Sequence, residues 1–502
     1  MLSAFSNCLK IPELRQRILF TLAMVIVIRV GAWIPCPGVN PAVLQAYFAD
    51  YINNQSGNSL AGMFNLFSGG ALQNCAIFAL GIMPYITASI MMQLGQAIIP
   101  SLGKLAREEG GRQKITQYTR VGTILLCVFQ GYLLATSFEN PSQLQFFEGI
   151  AAVEAQLGPL VPTPGFAFQL LTILSLTTGT MLLMWIGEQI TDKGIGNGIS
   201  LVITVNILGS LPGALAQGYE VLNPSDPGQQ PVSPLVVVVL LAFLFAVIAG
   251  TVALTQGTRR IAVNYAKQVR GNKMYGGQSS YLPLKVNYSG VMPIIFAQSI
   301  ILFPGMILDF MFPSSLWARS IILSLQSGTL YYAFYGGMIL FFSYFWVATM
   351  FNPVQIADDL KRNSGFIPGK RPGEATAKFL DYTMTRLTLA GAIFLMILAL
   401  LPMLVQRNMG VPSLTAQFFG GTSLLIIVGV MLDSMRQMET FLLQRHYDGF
   451  LKKGKLRGRS ARGGALQQGT APENVGLLWL YVALGVIIIA GVTISIVQGW
   501  TH

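Results

Sequence analysis

The sequence predicts an all-α polytopic membrane protein, and three observations carry that reading. Only 10% of the 502 residues are charged while 53% are hydrophobic. An average soluble domain carries about 25% charged residues, so a soluble chain of this make-up could not wet its own surface. Eleven windows are apolar over the roughly 20 residues that a helix rising about 1.5 Å per residue needs to cross a bilayer. The Lys and Arg residues between those windows are sorted to one side. Together these exclude a soluble globular enzyme, a disordered chain and a disulfide scaffold.

The windows lie near 18–34, 75–99, 118–137, 167–187, 199–217, 233–255, 290–311, 329–351, 385–405, 418–438 and 477–498. The first follows Lys10, Arg15 and Arg17 and superficially resembles a signal peptide. Its apolar core carries Arg29 and lacks a small-x-small cleavage site, so it reads as a retained span. Of the 32 basic residues, 29 fall in the N-terminus and in the loops 100–120, 187–198, 256–289, 352–386 and 436–475. Loops 35–60, 138–166 and 218–232 hold none. The positive-inside bias puts the N-terminus in the cytoplasm, and eleven spans put the C-terminus outside.

Residues 59–72 depart from a simple span. They are apolar enough to enter a membrane, yet Ser68-Gly69-Gly70 should break a helix before window 75–99 begins. Such a piece suits backbone lining a protein cavity or an interfacial loop, and composition does not separate the two.

Chemistry is scarce. Cys8, Cys36, Cys75 and Cys127 stand far apart, and two histidines, His446 and His502, make no zinc site by themselves. Gly365-Phe-Ile-Pro-Gly-Lys-Arg lacks the spacing and hydroxyl of a phosphate-binding loop, and neither a nucleophile elbow nor an HExxH motif is present. Neither catalytic residues nor a cofactor or metal is expected, so energy must come from a partner or a gradient. A gradient-driven transporter keeps charged groups at mid-membrane. Here Arg29 is close to a span end, Glu188 is at a loop edge, and Asp433 sits one turn from Arg436, a spacing that suits a local ion pair. Gln93 and Gln298 are better placed for the interior and for interhelical hydrogen bonds. Loop 256–289 carries Arg259, Arg260, Lys267, Arg270, Lys273 and Lys285 without an acid. That charge suits either an anionic lipid surface or an acidic partner such as ribosomal RNA or a motor protein.

At these loops the sequence resembles the SecY family, the channel-forming subunits of bacterial protein translocation. The carrying stretches are Met63-Phe-Asn-Leu-Phe-Ser-Gly-Gly-Ala-Leu72, Phe78-Ala-Leu-Gly-Ile-Met-Pro-Tyr-Ile86, Gly187-Glu-Gln-Ile-Thr-Asp-Lys-Gly-Ile-Gly-Asn-Gly-Ile-Ser200, Arg259-Arg-Ile-Ala-Val-Asn-Tyr-Ala-Lys267 and Arg371-Pro-Gly-Glu374. The resemblance runs from about residue 10 to 450. It implies a ten-helix channel of two inverted five-helix halves, residues 1–217 and 218–440, through which unfolded preproteins cross and from which membrane helices leave sideways.

The resemblance also implies roles. A pore ring falls on Ile82, Ile86, Ile199, Ile203, Met292 and Ile426, with methionine where isoleucine is usual. A plug covers 59–72, with Met63, Phe64, Phe67, Ser68, Gly69 and Gly70. Gln93 and Gln298 fall on a lateral gate between segments two and three and segments seven and eight. Arg259, Arg260 and Arg371 fall on loops that dock the SecA motor or the ribosome, including its RNA. SecE and SecG subunits, signal sequences and membrane lipids are the further partners implied, and the bacterial plasma membrane is the location.

Two features depart from the family's pattern. Loop 138–166 is long and acidic, and a basic tail at 441–475 is followed by an apolar run at 476–502 that reads as an extra C-terminal transmembrane helix. The rival functions are an ion-coupled transporter of small solutes and a membrane scaffold or insertase without a pore.

Overall fold

Apolar side chains cover the outside of this molecule as well as its interior. Leu19, Leu22, Ile26, Leu125, Leu174, Trp185, Phe341 and Ile397 are all exposed on long helices. A soluble protein rarely shows so much apolar surface, and hydrocarbon is the solvent that suits it. A computed structural model describes residues 11–453, except 55–59, 142–146, 217–233, 410–421 and several shorter stretches. The expected eleventh span and the tail beyond Lys453 lie outside the described residues.

The helices are α1 (Pro12–Gly31), α2 (Pro41–Asn54), α3 (Leu60–Ser68), α4 (Met83–Ile98), α5 (Pro100–Leu105), α6 (Gly111–Glu139), α7 (Ile150–Leu157), α8 (Phe166–Lys193) and α9 (Gly198–Gly209). There follow α10 (Pro234–Gln256), α11 (Met292–Met311), α12 (Thr329–Met350), α13 (Pro353–Arg362), α14 (Glu374–Met409) and α15 (Thr422–Lys453). Among the described residues, Gly111–Glu139, Phe166–Lys193, Leu330–Arg362 and Glu374–Leu401 are long and apolar enough to cross a membrane. Helices packed early in the chain favour one another: α4 on α6, α6 on α8, and α1 on both α8 and α9. Later ones do likewise, α11 on α12, α12 on α14 and α10 on α15. Contacts α4–α11 and α9–α15 join the two groups.

The window expected at 75–99 is helical only from Met83. Residues 69–82 run as turns because Gly69, Gly70 and Gly81 take positive φ, as does Cys75 at 48°, where an α-helix cannot continue. Pro84 then suits the first helical turn, whose N–H groups need no partner within the helix. Gly179 of α8 allows this turn-rich stretch to approach, since a Cβ there would run into the Ile77 carbonyl.

The two basic loops are not separate connections. Strands β1 (Thr258–Tyr265) and β4 (Ser279–Lys285) pair antiparallel, with the short β2 (Gln268–Arg270) and β3 (Lys273–Tyr275) at the hairpin's far end. Strand β5 (Gly365–Phe366), from the second loop, adds to the other edge of β1. Ile261, Val263 and Leu284 of the sheet are buried with Val347, Phe351, Ile367, Leu380 and Met384, which fastens the hairpin to α12 and α14. The alternation Ile261-Ala-Val263 is the sequence signal for this strand.

The acidic residues of loop 138–166 cap local backbone. Glu139 Oε1 accepts from Gly165 N at 2.8 Å and Glu154 Oε1 from Leu160 N at 3.1 Å. Glu188 takes a bidentate pair from Arg120, at 3.1 and 2.7 Å. The expected pairing of Asp433 with Arg436 is not made. Arg436 Nη2 instead donates to the Thr255 carbonyl of α10, at 3.0 Å, where the end of that helix leaves carbonyls without intrahelical partners.

Candidate functional site

Four helix starts or faces bring the expected ring positions into one apolar interior. Ile82 is the N-cap of α4 and Ile86 lies one turn on. Asn197 caps α9, its Oδ1 accepting from Ile199 N at 3.1 Å and Ser200 N at 3.3 Å. That cap satisfies two free amides and starts the helix so that Ile199 and Ile203 share a face. Met292 opens α11, and Ile426 sits in α15 one turn before Gly429, where a Cβ would meet Val291 at 2.8 Å. Ile82, Ile86, Ile203 and Ile426 are buried members of the main apolar cluster, and Ile199 and Met292 are partly buried against it.

One signal in this site escaped the sequence reading. Gly81-Ile-Met-Pro84 and Gly290-Val-Met-Pro293 repeat a four-residue pattern. Each glycine has positive φ, 59° and 64°, and each proline lies in the first turn of its helix. The same device starts both α4 and α11.

The α3 helix closes against this interior. It contacts α9 and α11, and Phe64, Asn65, Phe67 and Ser68 are buried, while Met63 lies within the same helix. It ends at Ser68, where Ser-Gly-Gly was expected to break it. Gly69 and Gly70 take φ of 68° and 84°, and Gly70 N donates to Asn65 O at 3.0 Å, which is a Schellman ending. Asn65 Oδ1 accepts from Gln73 N at 3.0 Å, and Ser68 Oγ accepts from Leu72 N at 3.2 Å. The turn is therefore built from its own side chains.

Two neighbours also hold that ending. Asn206 Nδ2 of α9 donates to Phe67 O, and Arg29 Nη1 of α1 donates to Gly69 O, both at 3.2 Å. Gly69 packs so closely that a Cβ would lie 2.7 Å from Asn206 Cα.

The other expected residues fall apart from this centre. Gln298 is buried on α11 with Oε1 lacking a donor among the described residues. Gln93 donates to Ser89 Oγ of its own helix, at 3.2 Å. The structure does not join the two glutamines in a hydrogen bond, although α4 and α11 pack together. Arg259 and Arg260 are exposed on β1, and Arg371 is exposed in the turn between β5 and α14. All three thus belong to the sheet-bearing unit, which neither loop suggested alone. No cluster of metal-binding side chains occurs among the described residues.

Comparison with known proteins accords with this geometry. The family model SecY matches residues 76–435. The chain is 45% identical over 450 residues to protein translocase subunit SecY of Escherichia coli strain K12, covering 89% of this chain and 96% of that protein. It is 41% identical over 447 residues to the same subunit of Aquifex aeolicus, covering 88% and 98%. Among solved structures, "The structure of a protein conducting channel" matches with a TM-score of 0.58 at 18% identity, over 90% of this chain and 99% of that one. "Sec61 in the Canine ribosome-channel complex from the endoplasmic reticulum" matches at 0.56 and 17%, over 90% and 99%. These findings leave no support for the small-solute transporter. The chain belongs to the SecY family, as a multi-pass membrane protein that serves as a non-enzymatic, protein-conducting channel subunit.

Proposed function

We propose that the chain passes unfolded preproteins across a bacterial plasma membrane through the ring of Ile82, Ile86, Ile199, Ile203, Met292 and Ile426, with α3 as the plug of the idle state. The observation that carries this is the seating of α3 against α9 and α11, two of the helices that bear ring positions. A narrow apolar constriction gives water and ions no hydrogen bonds and gates by dewetting. Aliphatic side chains and a flexible methionine yield around any passing residue without binding it. The halves are 1–217 and 218–440, and the repeated Gly-x-Met-Pro start supports their kinship. Signal sequences and membrane helices leave into the lipid between α4 and α11, past Gln298.

The sheet-bearing unit is cytoplasmic in this reading, since it carries the basic loops. Arg259, Arg260 and Arg371 dock SecA or the ribosome, because guanidinium pairs with carboxylate and phosphate alike. SecE and SecG complete the complex. From its apolar sequence alone we propose that the segment 476–502, outside the described residues, is an eleventh span with an external C-terminus. A C-terminus protected from protease added outside intact cells would count against that.

The direct test reconstitutes the chain with its SecE partner and adds SecA, ATP and an unfolded preprotein. Protease-protected substrate is expected for the native chain, and a loss of at least tenfold for Arg371→Glu. Equal protection in both would remove Arg371 from the docking role.

A further inference from the structure

Arg29 is the one charged residue in the apolar run 18–34, and it forms no ion pair among the described residues. Even close to a span end, a charge in an apolar run needs a reason, because ionisable groups within membrane segments are costly and tend to be functional. Its guanidinium reaches across to the Gly69 carbonyl and lies on Gly209 of α9, where a Cβ would collide with it. Half a turn earlier on the same end of α3, Phe67 O receives the Asn206 amide. A helix C-terminus presents unpaired carbonyls and a partial negative charge. The Asn206 amide therefore meets one of those carbonyls, and the Arg29 cation sits just past the helix end, where the partial negative charge favours it.

We propose that Arg29 and Asn206 form a latch, which holds the C-terminal end of α3 against α1 and α9 and sets how readily the idle channel opens. The proposal rests on the plug reading above. The latch is polar where the rest of the seat, Phe64 and Phe67, is apolar. Displacing α3 from this seat breaks two short-range bonds at once, so closure is sharp. Water can replace both partners once the helix has moved, so opening stays reversible. Gly209 and Gly69 are the clearance on either side: the first admits the guanidinium, the second admits the α9 backbone.

The test uses the full chain with its partner subunits in proteoliposomes and reads idle ion flux, labelling of Phe67→Cys by an impermeant maleimide, and translocation of a preprotein. Loss of a hydrogen bond to a charged group predicts about a tenfold rise in idle flux and labelling for Arg29→Met. Asn206→Leu should raise both about fivefold. Gly209→Ala, which expels the guanidinium but deletes no donor, should behave like Arg29→Met, and Arg29→Lys should stay near the native flux. Translocation of the preprotein should persist in all of them, whereas a misfolded channel would lose it. The Ile86→Gly, Ile203→Gly double variant serves as control. If it leaks while the latch variants stay tight, the latch is overturned and the pore reading stands. If it too stays tight, the pore reading falls and the latch with it.

Discussion

At the scale of single residues, the proposed ring depends on what its side chains lack. Ile86 and Ile203 are 5% and 4% exposed, and neither offers a hydrogen bond to water. Replacing both with glycine removes eight carbon atoms from the constriction and should raise the idle ion permeability of reconstituted vesicles at least tenfold. Unchanged permeability would mean that the seal lies elsewhere. The two isoleucine pairs were legible in the sequence as i, i+4 faces, but helical spacing alone marks them only as core; their role came with the resemblance. Arg29 shows the opposite limit. Its charge was plain, yet its partner is a carbonyl 40 positions away, and no local pattern announces such a pairing. Asp433 and Arg436 mislead for a similar reason: a spacing that permits a pair does not compete with a free helix-end carbonyl on α10.

Among the elements, glycines decide how closely neighbours approach. Gly179 lets α8 touch the turn at Ile77, and Gly31 of α1 faces the Phe78 ring, with no room for a Cβ at either. Gly179→Ala must push residues 76–78 away and disturb the start of α4. An overpacked site of this kind costs about 1–3 kcal/mol, which should appear as a lower melting temperature of the detergent-solubilised complex; an unchanged melting temperature would show that the turn yields freely. Hydropathy located Gly111–Glu139, Phe166–Lys193, Leu330–Arg362 and Glu374–Leu401, the described helices long and apolar enough to cross a membrane. It misplaced the start of α4 because residues 75–82 are as apolar as a helix, and only their glycine φ values set them apart. The β1–β4 hairpin was missed in a basic loop where charge drew more notice than the alternation at 261–263.

For the whole molecule, the helices pack in two groups joined at α4–α11 and α9–α15, and the proposed route for a chain runs between those groups, with the α4–α11 contact as the proposed exit to lipid. The apolar exterior was readable from composition, and the charge asymmetry from where Lys and Arg fall between the apolar windows. The joining of the two basic loops into one sheet was not, since β5 is only two residues long. That sheet places Arg259, Arg260 and Arg371 on one unit, packed on α12 and α14, so the proposed docking of a motor or ribosome there would act on the helix bundle through those two helices.

The proposed path takes the polypeptide through the ring. The most direct measurement stalls a preprotein midway, with a photoreactive side chain at its membrane-level position, and maps the crosslinks. Adducts are expected at Ile86, Ile203, Met292 and Ile426, falling away as the probe moves along the substrate. Adducts on the lipid-facing Leu125 and Leu174 instead, with none at the ring, would contradict it.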